Sequence, residues 1–101
     1  QRFIPMDNQS FLEQLDRASW AKDKFAVIED FLASYTGSRK PSLTSSELGK
    51  AIHEFSFTEE KFKALKRLHS IVSDRQNLGT MIENEFSFFD REEARKIVGL
   101  N

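Results

Sequence analysis

The stretch Phe55-Ser-Phe-Thr-Glu-Glu-Lys-Phe-Lys-Ala-Leu65 decides the fold, because its pattern returns twice elsewhere in the chain. Trp20-Ala-Lys-Asp-Lys-Phe25 repeats its aromatic, acidic and basic order upstream. Phe86-Ser-Phe88 repeats its first three residues, and an imperfect copy of the remainder continues from Phe88. Each copy places an aromatic residue just before a segment of helical spacing. This arrangement predicts three helical hairpins.

Within each copy the first helical turn carries an acidic residue, which complements the positive N-terminus of a helix. Trp20 and Phe25 lie five positions apart, as do Phe57 and Phe62, and this is the spacing of a hydrophobic staple around a helix start. We therefore expect these rings to pack together and to fix the angle at which the second helix leaves the first. A plain six-helix globule, whose start signals coincide by chance, is the alternative to a repeat.

Apolar residues recur at helical spacing in six segments, and no segment alternates apolar and polar residues over the length of a strand. The chain is therefore predicted to be all-α, a compact bundle of about six short helices arranged as three stacked helical hairpins. One hairpin buries too little apolar surface to be stable alone, whereas three hairpins can share one core. The predicted helices span residues 7–18, 22–35, 45–55, 59–72, 75–84 and 91–98.

The helix starts carry capping signals. Thr44 and Glu47 have the spacing of a capping box, in which a hydroxyl and a carboxylate each accept a hydrogen bond from a backbone N–H of the first turn. The other predicted caps are Ser73 with Gln76, Asp90 with Glu93, and Asp7 alone.

Ten residues of the chain are Phe, and fully burying one Phe contributes about 1.5–3 kcal/mol. These rings are therefore the expected main source of core stability. Replacing Phe57 by Ala is expected to cost about 3 kcal/mol if its ring is buried. The leading core candidates are Trp20, Phe25, Phe31, Ile52, Phe55, Phe57, Phe62, Leu65, Phe86 and Phe88.

Length and composition indicate a single domain over residues 1–101, with 39% hydrophobic and 31% charged residues. The 15 Lys and Arg against 16 Asp and Glu give a net charge of −1, which provides no overall attraction to nucleic acid or anionic membranes. No apolar run is long enough to span a bilayer, so we expect a soluble protein, with the cytoplasm favoured. We interpret the segment as a fragment of a larger protein, with residues 1–6 flexible and residues 36–42 as its longest loop.

The polar residues show no pattern typical of an active site. His69 lies beside an apolar helix stripe and is predicted to be a partly packed boundary residue, whereas His53 is predicted to be solvated. The chain has no Cys, no nucleophile elbow and no phosphate-binding glycine loop. We expect no enzymatic activity, catalytic residue, cofactor or metal. A calcium site is the alternative for a set of oxygen-bearing side chains that capping explains equally well: Asp74, Asn77, Glu83, Glu85 and Asp90.

Basic residues cluster on one predicted helix and in the long loop. The simpler interpretation is a solvated face that nearby glutamates balance. The functional interpretation is a patch for an acidic peptide, a phosphoinositide or nucleic acid. The candidate partner-binding residues are Arg39, Lys40, Lys61, Lys63, Lys66 and Arg67.

Further motifs follow the central stretch in the order Ile71, Asp74 and Asn77, then Phe86-Ser-Phe88, then Asp90-Arg-Glu-Glu-Ala94. Together with residues 55–66 they resemble the family of domain of unknown function 4476, over about residues 8–98. Thr58 stands where the family pattern has Asp, and in the third copy Phe89 directly precedes Asp90, one residue early. The resemblance implies a compact α-helical repeat domain without an established activity, and no functional residue is carried over from it.

We therefore expect a non-catalytic protein-interaction or scaffolding module of a larger protein. It would present helix faces, and a groove between neighbouring hairpins, to a protein or peptide partner. The alternative is a peripheral binder of anionic lipid headgroups or nucleic acid through the basic helix face, with nucleic acid the less favoured ligand and no membrane insertion. A small enzyme is a third hypothesis, which would need a deep polar pocket. The oligomeric state stays open.

Overall fold

A computed structural model describes residues 6–35 and 39–100 of the chain. Residues 1–5 of the predicted flexible terminus and residues 36–38 of the predicted loop lie outside the described residues. The predicted all-α fold is confirmed. The six helices are α1 (Asn8–Arg17), α2 (Ala21–Ala33), α3 (Ser45–His53), α4 (Thr58–Leu68), α5 (Leu78–Glu85) and α6 (Arg91–Val98), and three 3-10 turns span His69–Ile71, Arg75–Asn77 and Phe88–Asp90.

The helices pack as three hairpins, which pair α1 with α2, α3 with α4, and α5 with α6. In one layer α3 lies between α1 and α5, and in the other α4 packs against both α2 and α6. This is the predicted stack of three hairpins. Short backbone hydrogen bonds between Leu43 and residues 71 and 73 tie the segment before α3 to the segment after α4.

Two of the predicted helix caps are present. The Thr44 hydroxyl accepts from the Glu47 N–H at 3.1 Å, and the Glu47 carboxylate accepts from the Thr44 N–H at 2.9 Å. The Asp7 carboxylate accepts from the Ser10 N–H at the start of α1. Glu47 also accepts from the Asn8 side chain at 2.9 Å, so the cap of α3 holds the start of α1 as well.

Two of the predicted caps are wrong. Ser73 does not cap α5, because a 3-10 turn precedes that helix and the Ser73 N–H donates instead to the Leu43 carbonyl at 2.8 Å. Asp90 precedes α6, but its side chain makes no capping hydrogen bond there. Its carboxylate accepts from the Ser87 hydroxyl at 2.7 Å and from the Thr58 hydroxyl at 3.4 Å, and therefore joins the start of α6 to the start of α4.

Asp74 provides a cap that the sequence pattern did not reveal. Its carboxylate accepts from the Ser45 N–H at 2.6 Å, the Ser45 hydroxyl at 2.8 Å and the Asn77 amide at 2.9 Å. The hydrogen bond from Asn77, followed by those from Ser45, holds the pKa of Asp74 below its usual value. This one carboxylate therefore fixes the start of α3 against the segment that leads into α5.

The core is built from face-to-face ring stacks and aliphatic side chains. Phe11 stacks on Phe31 within the first hairpin, with ring centroids 4.2 Å apart. Between hairpins, Phe25 stacks on Phe55 at 4.7 Å and Phe62 stacks on Phe86 at 5.4 Å. Among the predicted core residues, five are fully buried and Phe25 and Phe62 are partly buried; the five are Phe31, Ile52, Phe55, Leu65 and Phe86.

Three predicted core residues are instead exposed: Trp20 at 74%, Phe57 at 69% and Phe88 at 74%. For the first two, the reason is a shift of one residue in the helix start. A hydrophobic staple uses the residue before the N-cap. Here α2 begins at Ala21 and α4 at Thr58, so Trp20 and Phe57 are themselves the N-cap residues. Their side chains therefore project into solvent at the helix ends.

The contrast between Phe55 and Phe57 gives a matched test of the core. Phe55 is 3% exposed and stacks on Phe25, so Phe55→Ala should lower the free energy of unfolding by about 3–5 kcal/mol. Phe57→Ala should change it by less than about 0.5 kcal/mol, in place of the 3 kcal/mol expected from the sequence. Urea unfolding followed by circular dichroism measures both values. Equal losses in the two variants would contradict this assignment of the core.

Asp74 should make the fold sensitive to acid. Because its pKa is lower in the folded chain than in the unfolded one, its contribution is complete above about pH 4 and is lost as the pH falls through the folded value. Asp74→Asn cannot accept all three hydrogen bonds and carries no charge. We therefore expect the variant to be less stable than the wild type at neutral pH, with the difference shrinking below about pH 4. Urea midpoints measured across this range test the prediction, and a pH-independent difference would contradict it.

Candidate functional site

Four exposed aromatic rings lie at the turns that precede the second helix of each hairpin. We call them the aromatic edge: Trp20, Phe57, Phe88 and Phe89, the last of which is 90% exposed. They belong to three equivalent corners, the first before α2, the second before α4 and the third before α6.

The packing of the second helices brings these corners to one side of the molecule. The contacts of α2 with α4 run in the same direction along both helices, from Phe25 with Lys63 to Glu29 with Arg67. The two helices are therefore parallel and start side by side. At the next pair of corners, the hydrogen bond from Thr58 to Asp90 joins the start of α4 to the start of α6.

A groove of about 220 Å³ separates the first two corners, with Trp20 and Phe57 among its lining residues. Its wall includes the ion pair of Lys24 and Glu54, whose nitrogen and oxygen are 3.1 Å apart. The buried Lys24 ammonium also donates to the Leu15 carbonyl at 2.6 Å. The Lys24 side chain, which belongs to α2, is therefore held by the end of α1 and the end of α3. The remaining lining residues are Ser19, Ala21, Phe55, Ser56 and Glu60.

The third corner carries two rings. Phe88 and Phe89 meet edge to face with centroids 5.7 Å apart, in the 3-10 turn before α6. Beside them is a depression of about 300 Å³ whose wall includes Arg91 and Arg95. The Arg91 guanidinium donates to the carbonyls of Phe86 and Glu83, so it holds the corner to the end of α5.

Exposed carboxylates accompany the rings. The first turn of each second helix carries one or two of them, and all four are exposed: Asp23 in α2, Glu59 in α4, and Glu92 and Glu93 in α6. The positive helix ends stabilise these charges. Each corner of the aromatic edge therefore combines at least one exposed ring with at least one exposed carboxylate in the helical turn that follows it.

The structure divides the predicted basic site between different surfaces. Lys61 points to the third hairpin and donates to the Glu85 carbonyl at 3.2 Å. On α4, Lys63 lies over the Phe25 ring at 4.7 Å from its centroid. Arg67 makes two hydrogen bonds of 2.7 and 2.6 Å to Glu29, which lower the pKa of Glu29 and raise the pKa of Arg67.

The other predicted basic residues, Arg39, Lys40 and Lys66, are exposed. Within the described part of the chain they make no ion pair. Lys66 lies on α4, whereas Arg39 and Lys40 precede α3. The three therefore come from two separate parts of the fold.

The two histidines occupy the predicted kinds of environment. His69 is partly buried, its Nδ1 has no hydrogen-bond partner among the described residues, and burial together with the charge of Arg75 lowers its pKa. His53 is exposed, with its Nδ1 3.2 Å from the Glu85 carboxylate. In residues 6–35 and 39–100 no three His, Asp or Glu side chains cluster in a way that could hold a metal ion.

A second groove follows the exposed side of α3. A part of about 390 Å³ lies between α3 and α5, where Ser46 and Lys50 face Thr80 and Asn84. A part of about 430 Å³ continues toward α1, where Leu12 and His53 contribute to the wall. Neighbouring hairpins therefore leave a groove between them. Its wall combines polar side chains such as Ser46, Lys50 and Asn84 with the apolar Leu12 and Met81.

The fold and these surfaces define a class of protein, an all-α domain of three stacked hairpins with an aromatic edge at its corners. The family model described as Domain of unknown function (DUF4476) matches residues 3–98. The chain belongs to this family, as the motifs around Phe55 and Phe86 predict. Neither the curated proteins nor the solved structures provide a match. No helix among the described residues is long and apolar enough to cross a membrane.

The single Trp of the chain makes the exposure of the aromatic edge measurable. Acrylamide should quench the emission of Trp20 in the native protein nearly as strongly as in denaturant, because the residue is 74% exposed. The matched control is Phe31→Trp in a Trp20→Phe background, where the indole replaces a buried ring and should be protected. A strongly protected native Trp20 would contradict the edge described here.

Proposed function

We propose that this domain is a non-catalytic interaction module that binds an apolar segment of a protein partner at the aromatic edge. The observation that carries the proposal is the exposure of a large ring at all three corners. These exposed rings do not serve the core, because the chain buries other aromatic rings there. Trp20 and Phe57 line one groove, Phe88 contacts Phe89, and exposed apolar patches of this kind on a folded domain are typical of interaction surfaces.

The chemistry of the rings supports this role. Trp and other aromatic side chains are enriched among the residues that dominate binding energy, because they cover a large apolar area with little loss of side-chain entropy. Burying one such ring in a partner contributes about 1.5–3 kcal/mol. Four rings therefore provide enough gross energy for a peptide complex, even after the cost of association and ordering.

The polar groups support a role without catalysis. The residues with shifted pKa values each have a structural partner or a structural cause. Asp74 caps α3, Glu29 pairs with Arg67, and the pKa of His69 is lowered mainly by burial. None of these residues lines the groove between Trp20 and Phe57 or the depression beside Phe88 and Phe89. A catalytic site would bring such groups together around a pocket.

Selection of binding peptides from a random phage-displayed library tests the proposal. We expect the wild-type domain to enrich specific sequences, and Trp20→Ala/Phe57→Ala/Phe88→Ala to reduce their affinity at least about tenfold. The matched control is Arg39→Ala/Lys40→Ala/Lys66→Ala, which alters exposed basic residues and should retain binding. If the basic variant lost peptide binding while the aromatic variant retained it, the proposal would be overturned and the basic face favoured.

A further inference from the structure

The rings, acidic groups and spacing of the aromatic edge point to one kind of occupant. We propose that it binds a proline-rich segment carrying Arg or Lys, held in the polyproline II conformation across the three corners. This inference rests on the proposed function, because it names the chemistry of the partner at the same surface.

The spacing of the corners is the first argument. Packed helix axes lie about 8–10 Å apart, and α4 packs against both α2 and α6, so we expect successive corners at about that interval. A polyproline II segment has three residues per turn and rises about 3.1 Å per residue, so the same side of the segment recurs about every 9 Å. Every third residue of such a segment can therefore meet a successive corner, so that about seven residues reach from the first corner to the third and three full turns comprise about nine.

The shape of the surface is the second argument. The groove between Trp20 and Phe57 has a volume of about 220 Å³. This space suits the side chains of an extended segment, whereas a helix with its side chains is about 10 Å across. Flat aromatic walls that flank narrow grooves are also how other domains bind proline-rich ligands, because a proline ring packs on an aromatic face.

Hydrogen-bond donors are the third argument. A polyproline II segment has no internal hydrogen bonds, so its carbonyl groups remain free to accept. Trp20, Ser19 and Ser56 line the first groove, and within the described residues their side chains donate no hydrogen bond. Their indole N–H and hydroxyl groups are therefore available to donate to the carbonyls of a bound segment while its prolines cover the rings.

Charge is the fourth argument and explains the basic residues of the segment. Asp23, Glu59 and Glu93 are exposed beside the rings, and within the described residues they make no ion pair. Lys22 is the exposed basic residue near the first corner, and the partly buried Arg91 and Arg95 lie at the third, where two backbone carbonyls hold Arg91. In the first turns of α2, α4 and α6, exposed carboxylates therefore outnumber exposed basic residues. An Arg of the segment can pair with a carboxylate and stack on the adjacent ring, which a Glu at the same position would not do.

Titration of the folded domain with synthetic peptides tests the inference. The probe is the nine-residue peptide of three Pro-Pro-Arg repeats, about the length that spans the corners. One control replaces each Arg by Glu, and a second replaces each Pro by Gly to keep the charge without the conformation. A third is a basic amphipathic helical peptide, and vesicles of phosphatidylcholine with phosphatidylserine form the last arm. Calorimetry gives the affinity, and Trp20 emission reports burial of its ring.

We expect the Pro-Pro-Arg peptide to bind at least about tenfold more tightly than the Glu and Gly controls and to shift Trp20 emission to shorter wavelength. Phe57→Ala should weaken binding about tenfold, while Lys66→Ala should leave it unchanged. Because Phe57 contributes little to the core, we expect Phe57→Ala to stay folded. A loss of peptide binding in this variant then reports on the aromatic edge and not on unfolding.

Other outcomes separate this inference from the proposed function. Tighter binding of the helical peptide, still dependent on Phe57, would overturn the proline-rich partner and leave a peptide-binding module. Equal binding of the Pro-Pro-Arg peptide to wild type and Phe57→Ala would show attraction by charge alone and overturn the inference. Binding to the vesicles with no peptide response would overturn both.

Discussion

Two ring stacks hold the three hairpins together, and the rest of the structure depends on them. Phe25 on Phe55 and Phe62 on Phe86 pair the fifth residue of a second helix with the aromatic residue that follows the first helix of the next hairpin. Because the same pairing occurs twice, the second hairpin meets both neighbours in the same way. The second helices therefore start side by side, and the three corners with their exposed rings lie along one edge.

The helical fold was largely predictable because apolar periodicity reports which side of a segment is buried. All six helices lie within or near their predicted spans, and the capping box of Thr44 and Glu47 is present. The spans of α4 and α5 were too long because 3-10 turns follow Leu68 and precede Leu78. Over three residues, a 3-10 turn and an α-helical turn place apolar side chains on nearly the same face, so periodicity does not separate them.

The candidate site was less predictable because its character depends on single-residue register and on distant partners. Phe55 and Phe57 belong to one motif, yet the first is buried and the second exposed, since α4 begins at Thr58 rather than one residue later. The available signal was Glu60, which stands three residues after Phe57 as in a capping box and whose carboxylate accepts from the Phe57 N–H at 3.4 Å. The partners of the basic residues were not predictable for another reason: Arg67 pairs with Glu29, 38 residues away, a contact that no local pattern contains.

The N-cap position of Trp20 and Phe57 also affects how this surface can diverge among related domains. An N-cap side chain contacts the helix end and solvent rather than the neighbouring layer, so the packed interior places few demands on its size or polarity. Under the proposed function, substitutions at these positions would alter what the corner binds while the hairpins keep their geometry. Phe55, which supports the architecture, and Phe57, which would contact the partner, are only two positions apart in the chain, so one can change without the other.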